Sequence, residues 1–385
     1  MNVDCKTMYT SSAESNSRGG QDDLNIPCIE QSDAERLCKH PMVSVLMTTY
    51  NHECFIRQAI EGVLMQETDF EYEFIIGEDC SQDRTREICF EYQKRYPDKI
   101  RVLWSETNLN HVKGNGRRVR AHARGKYVAC CEGDDYWTDS KKLQKQVEYM
   151  ESHLGCAGCF HERVTCSADG LLNSGTGLPN EMKRVLTGDD IAVWVFPCPP
   201  TCTVMYRRAV YVDRPKALNT WFGGDRATAL WAAYSHGTVD WVEGVKPSVY
   251  RIHSGGVCRG RDELFNIIQD QKICRETLDS FPVSRWARRI IHEKMCEQTF
   301  RAWWKWHGSE SEETRKSVRH LLKDNTAIYP ALRWRLWARQ TGYRLNQGYW
   351  RAWHGVVMGI KRVLPGRLYG WLREGGRKWK AGGET

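Results

Sequence analysis

The chain has 385 residues, 41% of them hydrophobic, with 16 Trp and 16 Tyr, a composition that supports a large core and excludes a disordered protein. No apolar run reaches the roughly 18 residues a membrane-spanning helix needs. The net charge of +8 is uneven: from residue 283 onward 22 Lys plus Arg face 8 Asp plus Glu, a net of +14, so residues 1–282 carry −6.

A chain of this length predicts one large domain with an appendage, or two domains. Residues 1–40 are rich in Ser, Asp, Asn and Glu, lack periodicity and hold no apolar stretch of the kind a secretory signal requires. They read as a loosely ordered lead-in, and the protein as one that stays in the cytosol. The 16 cysteines fall on apolar strands and in pairs such as Cys130 and Cys131, so they read as reduced and structural. Cys156, Cys159, His161 and Cys166 match no standard zinc spacing.

Residues 42–51 form a β-rich run with a polar end, followed by Phe55, Ile56, Ala59, Ile60, Val63 and Leu64 at helical spacing. The plan then repeats. Residues 72–77 read as a strand, 78–83 as its acidic exit, and 85–96 as a helix capped by Ser81 or Asp83. A third strand, 100–104, leads through a Gly- and Arg-rich segment containing Arg117, Arg118, Arg120 and Arg124 to an apolar run at 127–131. Strands and helices alternating at this interval predict right-handed crossovers and a mainly parallel α/β sheet. Three strand exits then converge on one sheet edge, where open α/β sheets bind ligands.

The third exit carries Glu132, Asp134 and Asp135. Glu132 and Asp134 stand two apart and share a face, so both can offer oxygens to a hard divalent cation, magnesium or manganese, that leaves positions for water and phosphate. The alternative local reading is a turn capping the helix that follows. With acidic exits, a phosphate-bearing ligand needs a metal or the nearby arginines.

Val43-Ser-Val-Leu-Met-Thr-Thr-Tyr-Asn51, Glu78-Asp-Cys-Ser-Gln-Asp83 and Glu132-Gly-Asp-Asp-Tyr-Trp137 resemble the successive motifs of the family 2 glycosyltransferases, nucleotide-sugar-dependent enzymes of the GT-A fold, over residues 41–256. The resemblance implies that Thr48, Tyr50, Glu78 and Asp79 hold the nucleoside. It also implies that Glu132 and Asp134 occupy the Asp-x-Asp motif that holds metal and diphosphate. The chain departs in having Glu at the first motif position and in placing Gly116 and Arg117 where the family has an Arg-Asn pair, so Arg117 is the donor-contact candidate.

In the second half, residues 154–165 and 202–206 read as strands, 187–194 as a capped short helix, and the proline-rich turn at 197–201 as a pocket wall. Asp225 follows two glycines at the start of a helical stretch, a position that locally suits an N-cap; the resemblance makes it the candidate general base. Arg251 and His253 alternate along a strand and share a side, so both can reach a diphosphate or metal. Together these imply an inverting transfer of sugar to a hydroxyl, with polysaccharide or lipid-linked acceptors. A non-catalytic binding module and a sugar nucleotidyltransferase are the rival readings, but Thr48-Thr-Tyr-Asn51 is not the Gly-rich basic loop the latter uses.

The expected domains are thus a lead-in at 1–40, a GT-A domain at 41–260 and a basic helical region at 261–385. In that last region Trp350, Trp353, Val357, Ile360 and Leu364 stand at spacings of three and four. Such a face packs on its own domain, pairs with a second subunit or lies on a membrane. Nucleic acid is not an expected partner.

Overall fold

The computed structural model describes residues 26–109, 114–193, 198–221, 223–256, 262–306 and 308–328; the tail residues 350–364 lie outside these. The chain divides into two compact units, residues 1–291 and 292–385.

In the first unit, the predicted βα repeats form as β-rich runs buried on both faces. After a short edge strand, β1 (Ile29–Gln31), strands β2 (Val43–Thr49), β3 (Tyr72–Glu78), β4 (Ile100–Trp104) and β5 (Tyr127–Cys130) alternate with helices α1 (Ile56–Leu64), α2 (Thr85–Arg95) and α3 (Asn115–Ala121). Strands β4, β3, β2 and β5 run parallel as neighbours in that order. Continuous apolar runs are what such a doubly covered sheet needs. The main core places Val45, Met47, Phe74 and Ile76 with Ile56, Ile60 and Val63 of α1 and Ile88 and Tyr92 of α2. On the other face Leu46, Ile75 and Val128 pack with Val119 and Ala123. The α3 helix approaches β3 so closely that a Cβ at Gly77 would stand 2.4 Å from Asn115 Oδ1 and 2.5 Å from Val119 Cγ1.

Beyond β5 come α4 (Lys142–Ser152), β6 (Cys156–Phe160), β7 (Arg163–Ser167), β8 (Leu172–Asn173), β9 (Val185–Leu186), α5 (Gly188–Val193), β10 (Met205–Arg207), α6 (Ala209–Val212), α7 (Gly224–Ser235), β11 (Thr238–Trp241) and β12 (Ser248–Ile252). The nine-stranded sheet is ordered β1-β4-β3-β2-β5-β10-β6-β11-β9, with β10 antiparallel to both β5 and β6. The mixed sheet therefore keeps a parallel heart and acquires antiparallel strands on its later side. Residues 154–165, expected as one strand, are two: the chain leaves the large sheet after Phe160, and β7 joins a second sheet beside β12 and β8. Buried His161 marks the crossing, with its Nε2 3.4 Å from Ser248 Oγ. Residues 29–31, within the expected lead-in, pair antiparallel with β4. The capped helix forms as predicted, with Asp190 accepting from both the amide and the hydroxyl of Thr187. The cysteines of the described residues are free thiols.

Helix α8 (Glu263–Ser280) follows, started by Asp262, whose Oδ1 accepts from Phe265 N at 2.6 Å. Helix α9 (Arg285–Trp306) continues into the second unit, which also holds α10 (Glu312–Ile328). There Asn325 Nδ2 donates to Thr299 Oγ1 at 2.9 Å, satisfying two buried polar groups. No described helix is long and apolar enough to cross a membrane.

Candidate active site

Because β3, β2 and β5 are parallel neighbours, their carboxyl ends open side by side. The first two exit loops lock together through reciprocal bonds. Asn51 N donates to Ser81 Oγ at 3.0 Å, Gln82 N to Asn51 Oδ1 at 2.8 Å, Glu53 N to Asp83 Oδ2 at 3.0 Å and Arg84 N to Glu53 Oε2 at 3.0 Å. Asn51 and Cys80 both take left-handed backbone angles, φ 55° and 61°, that this locking holds in place. Of the four residues expected to hold a nucleoside, Thr48 and Tyr50 stand half-buried at the first exit, while Glu78 and Asp79 are buried at the second. Glu78 accepts from Ser81 N at 2.6 Å and Arg86 Nε at 2.5 Å, and Asp79 Oδ1 accepts from Leu109 N at 2.8 Å. Both acids organise the second loop.

The third exit is the turn Glu132-Gly-Asp-Asp. Gly133 N donates to Thr48 O at 3.0 Å, drawing the turn against β2. Only glycine fits there: a Cβ would lie 2.6 Å from Thr49 Oγ1 and 2.9 Å from His52 Nδ1. Asp135 turns inward, its Oδ1 accepting from Arg251 N at 2.9 Å; burial and the Asp134 charge hold its carboxyl well above the usual range. Trp137 Nε1 donates to Cys202 O at 2.8 Å, and Tyr136 pairs with Val249. The turn is thereby held from β2, β12 and the segment before β10.

Asp134 projects from this turn toward two imidazoles. His253 Nε2 lies 3.0 Å from Asp134 Oδ2, and one ligand atom each from His52, Asp134 and His253 all fall within 4.8 Å of one another. This is the one such metal-capable group among the described residues, so the Cys156, Cys159, His161 and Cys166 spacing makes no centre. A carboxylate with two imidazoles is a chemically suitable donor set for a divalent cation. Burial opposes ionisation of Asp134, but the His253 hydrogen bond and the two imidazole charges outweigh it and hold the carboxyl below its usual value. Glu132, expected among the ligands, stands outside the group. Its longer side chain folds back on β2, where Oε2 accepts from Thr48 N at 3.2 Å and from the Thr48 hydroxyl. Burial pushes its carboxyl up to about 7 against the pull of the Thr48 bonds, and the charge of Asp134 adds to the rise. His52 was missed by sequence reasoning; its one signal was an imidazole directly after the Thr48-Thr-Tyr-Asn51 exit.

Arg251 reaches the same turn, and each of its three guanidinium nitrogens donates one hydrogen bond to protein. Nε donates to Asp134 O at 3.0 Å, Nη2 to Gln58 Oε1 at 2.6 Å and Nη1 to Ala168 O at 3.4 Å. The guanidinium lies 4.8 Å from the Phe55 ring centre, and the same ring stands 4.8 Å from His253. The structure thus gives Arg251 the work of fixing the Asp134 backbone. The arginines on and just after α3 are also largely committed. Arg118 is fully buried, donating to Glu78 O and Asn115 Oδ1 at 2.7 Å each; Arg124 meets buried Glu73 at 2.7 Å; Arg120 lies 5.9 Å from the Tyr211 ring. Arg117 is half-buried on the same helix. Asp225 sits exposed in the first turn of α7, behind Gly223 at φ 75°, rather than at the N-cap. Its Oδ1 accepts from Arg226 N at 2.8 Å and its Oδ2 from the Cys198 thiol at 3.5 Å.

The Glycosyl transferase family 2 model matches residues 44–213. Rv1520 of Mycobacterium tuberculosis, an uncharacterized protein, is 40% identical over 171 residues, 44% of this chain and 48% of that one. TuaG of Bacillus subtilis, named provisionally as a teichuronic acid biosynthesis glycosyltransferase, is 35% identical over 130 residues, 34% of this chain and 50% of its own. The chain spans about half the length of the curated relatives it matches. Among solved structures, S. aureus TarS 1–349 in complex with UDP-GlcNAc superposes with a TM-score of 0.55 at 17% identity, over 75% of this chain and 82% of that one. Residues 44–213 thus match the Glycosyl transferase family 2 model, and the parallel-centred mixed sheet around them is GT-A-like in fold.

Proposed function

We propose that the protein moves a sugar from a nucleotide-diphosphate sugar to a hydroxyl acceptor with inversion at the anomeric carbon. The observation that carries this reading is the meeting of Asp134, from the third strand exit, with His253 at 3.0 Å, from a segment more than a hundred residues later. In this reading Thr48, Tyr50 and Arg117 meet the donor, and buried Glu78 and Asp79 serve it by holding the second exit loop in place. A divalent cation, magnesium or manganese, held by Asp134 and His253 would supply the positive charge that stabilises the departing diphosphate. Arg251 fixes the Asp134 backbone, and Phe55 against His253 limits water at that ring. Glu132 keeps the turn on β2 through Thr48. Asp225 takes the proton from the attacking hydroxyl, and one base acting in line with the leaving group inverts the centre.

The TuaG likeness favours a cell-surface polysaccharide as product, with a saccharide or lipid-linked acceptor met at the cytoplasmic face of the membrane. A thermal-shift screen of nucleoside diphosphates and their sugars, with and without manganese, tests the donor assignment, because a ligand of the folded state raises the melting point by mass action. One nucleotide sugar should raise it in a manganese-dependent way and be hydrolysed slowly without acceptor. Failure of every nucleotide sugar to shift the melting point or to be hydrolysed overturns the proposal and leaves a non-catalytic module.

A further inference from the structure

We infer that His52 is a third protein ligand of the cation site, making it a one-carboxylate, two-imidazole centre that assembles without nucleotide and selects manganese or cobalt over magnesium. The inference rests on the donor-site reading for what the cation does, while the binding itself is independent of it.

Five observations point this way. Ligand atoms of His52, Asp134 and His253 lie within 4.8 Å of one another. Two of them, His253 Nε2 and Asp134 Oδ2, are 3.0 Å apart. Neighbouring ligands at about 2.1 Å from one ion stand about 3 Å apart, so this pair already has the edge length of a coordination shell. The His52 ring is held from behind, its Nδ1 3.2 Å from Thr49 Oγ1, the kind of hydroxyl or carbonyl contact that orients ligating imidazoles. Its backbone is pinned as well, with His52 N donating to Thr85 Oγ1 at 2.8 Å. Finally, the turn bearing Asp134 approaches this ring only because residue 133 lacks a side chain, the Cβ position being 2.9 Å from His52 Nδ1. Three separate segments are thus brought to one point by contacts that need no ligand. Two imidazoles disfavour magnesium, which takes oxygen ligands and sheds water reluctantly, and suit first-row transition ions.

The test is calorimetric titration of the full chain with MnCl2, CoCl2 and MgCl2 in the absence of nucleotide. Manganese and cobalt should bind at one site and magnesium at least about tenfold more weakly. His52→Gln should weaken manganese by at least about tenfold, with its melting point in chelator unchanged. Pulsed EPR of the wild-type manganese complex should count two imidazole nitrogens, a readout that needs no variant to fold. A single imidazole, magnesium binding as tight as manganese, or full manganese affinity in His52→Gln would each overturn the inference. Absence of nucleotide-sugar turnover in a protein that passes these tests would instead overturn the proposed function.

Discussion

Lys142 offers a sharp test of how burial sets energetics beneath the Asp134 turn. Its amine is fully buried, donates to Gln146 Oε1 at 2.6 Å and lies 4.1 Å from the centre of the Trp137 ring. Desolvation lowers its pKa from 10.5 to about 8, against the pull of neighbouring Cys159, Cys131 and Cys202. Between those two values the unfolded chain holds a proton that the folded chain has released, so stability rises with pH across that window and is flat below it. A displacement of that size corresponds to about 3 kcal/mol at 1.36 kcal/mol per unit. Lys142→Met keeps the stem volume and removes the titration. At pH 7 the relieved desolvation is offset by an unpaired Gln146 oxygen, about 1–3 kcal/mol, and by the lost cation–π contact, about 1 kcal/mol, so the variant should unfold within about 1 kcal/mol of wild type. By pH 10 wild type should lead by about 2.5 kcal/mol more than it does at pH 7. Urea unfolding of both proteins from pH 7 to 10 measures this. The difference between them is the quantity to plot, because buried thiols such as Cys131 and Cys159, raised by desolvation, contribute with the opposite sign in both proteins. A difference independent of pH would refute the reasoning.

Gly77→Ala should cost about 1–3 kcal/mol in urea unfolding, since its Cβ would meet Asn115 Oδ1 and Val119 Cγ1 at 2.4 and 2.5 Å; an unchanged midpoint would mean that α3 shifts freely. Burial holds His161 neutral, well below its usual pKa, so below pH 6.5 the unfolded chain gains a proton that the folded chain refuses. Stability should fall by about 1.4 kcal/mol per pH unit from that source, and His161→Asn should flatten the difference; equal slopes in both proteins would sink this. Asp225→Asn should lower kcat by about 10²–10⁴-fold with donor affinity within about twofold, and a parallel loss of donor affinity in calorimetry would remove Asp225 from the base role.

Where the chain announces itself locally, its sequence was enough. The continuous apolar runs of β2 and β3 suit a sheet covered on both sides, and the polar exits after Thr49, Glu78 and Cys130 followed from their alternation with helices. The Thr187 and Asp190 capping pair likewise needs only neighbours three residues apart. Other features depend on which surfaces meet. Arg118 looked like a phosphate ligand in a basic segment, but the absence of a side chain at Gly77 lets α3 sink onto β3 and carries that guanidinium inside to cap the Glu78 carbonyl. The chain leaves the large sheet after Phe160 because β12 offers β7 a partner that no local pattern reveals. Glu132 and His52 exchanged places for the same reason. Position in the motif named the acid, whereas the length of its side chain and the nearness of Thr48 drew it away and left the imidazole beside Asp134. Period and turn chemistry are written over a few consecutive residues, while the direction of a long side chain is decided by whichever distant backbone comes within hydrogen-bond reach.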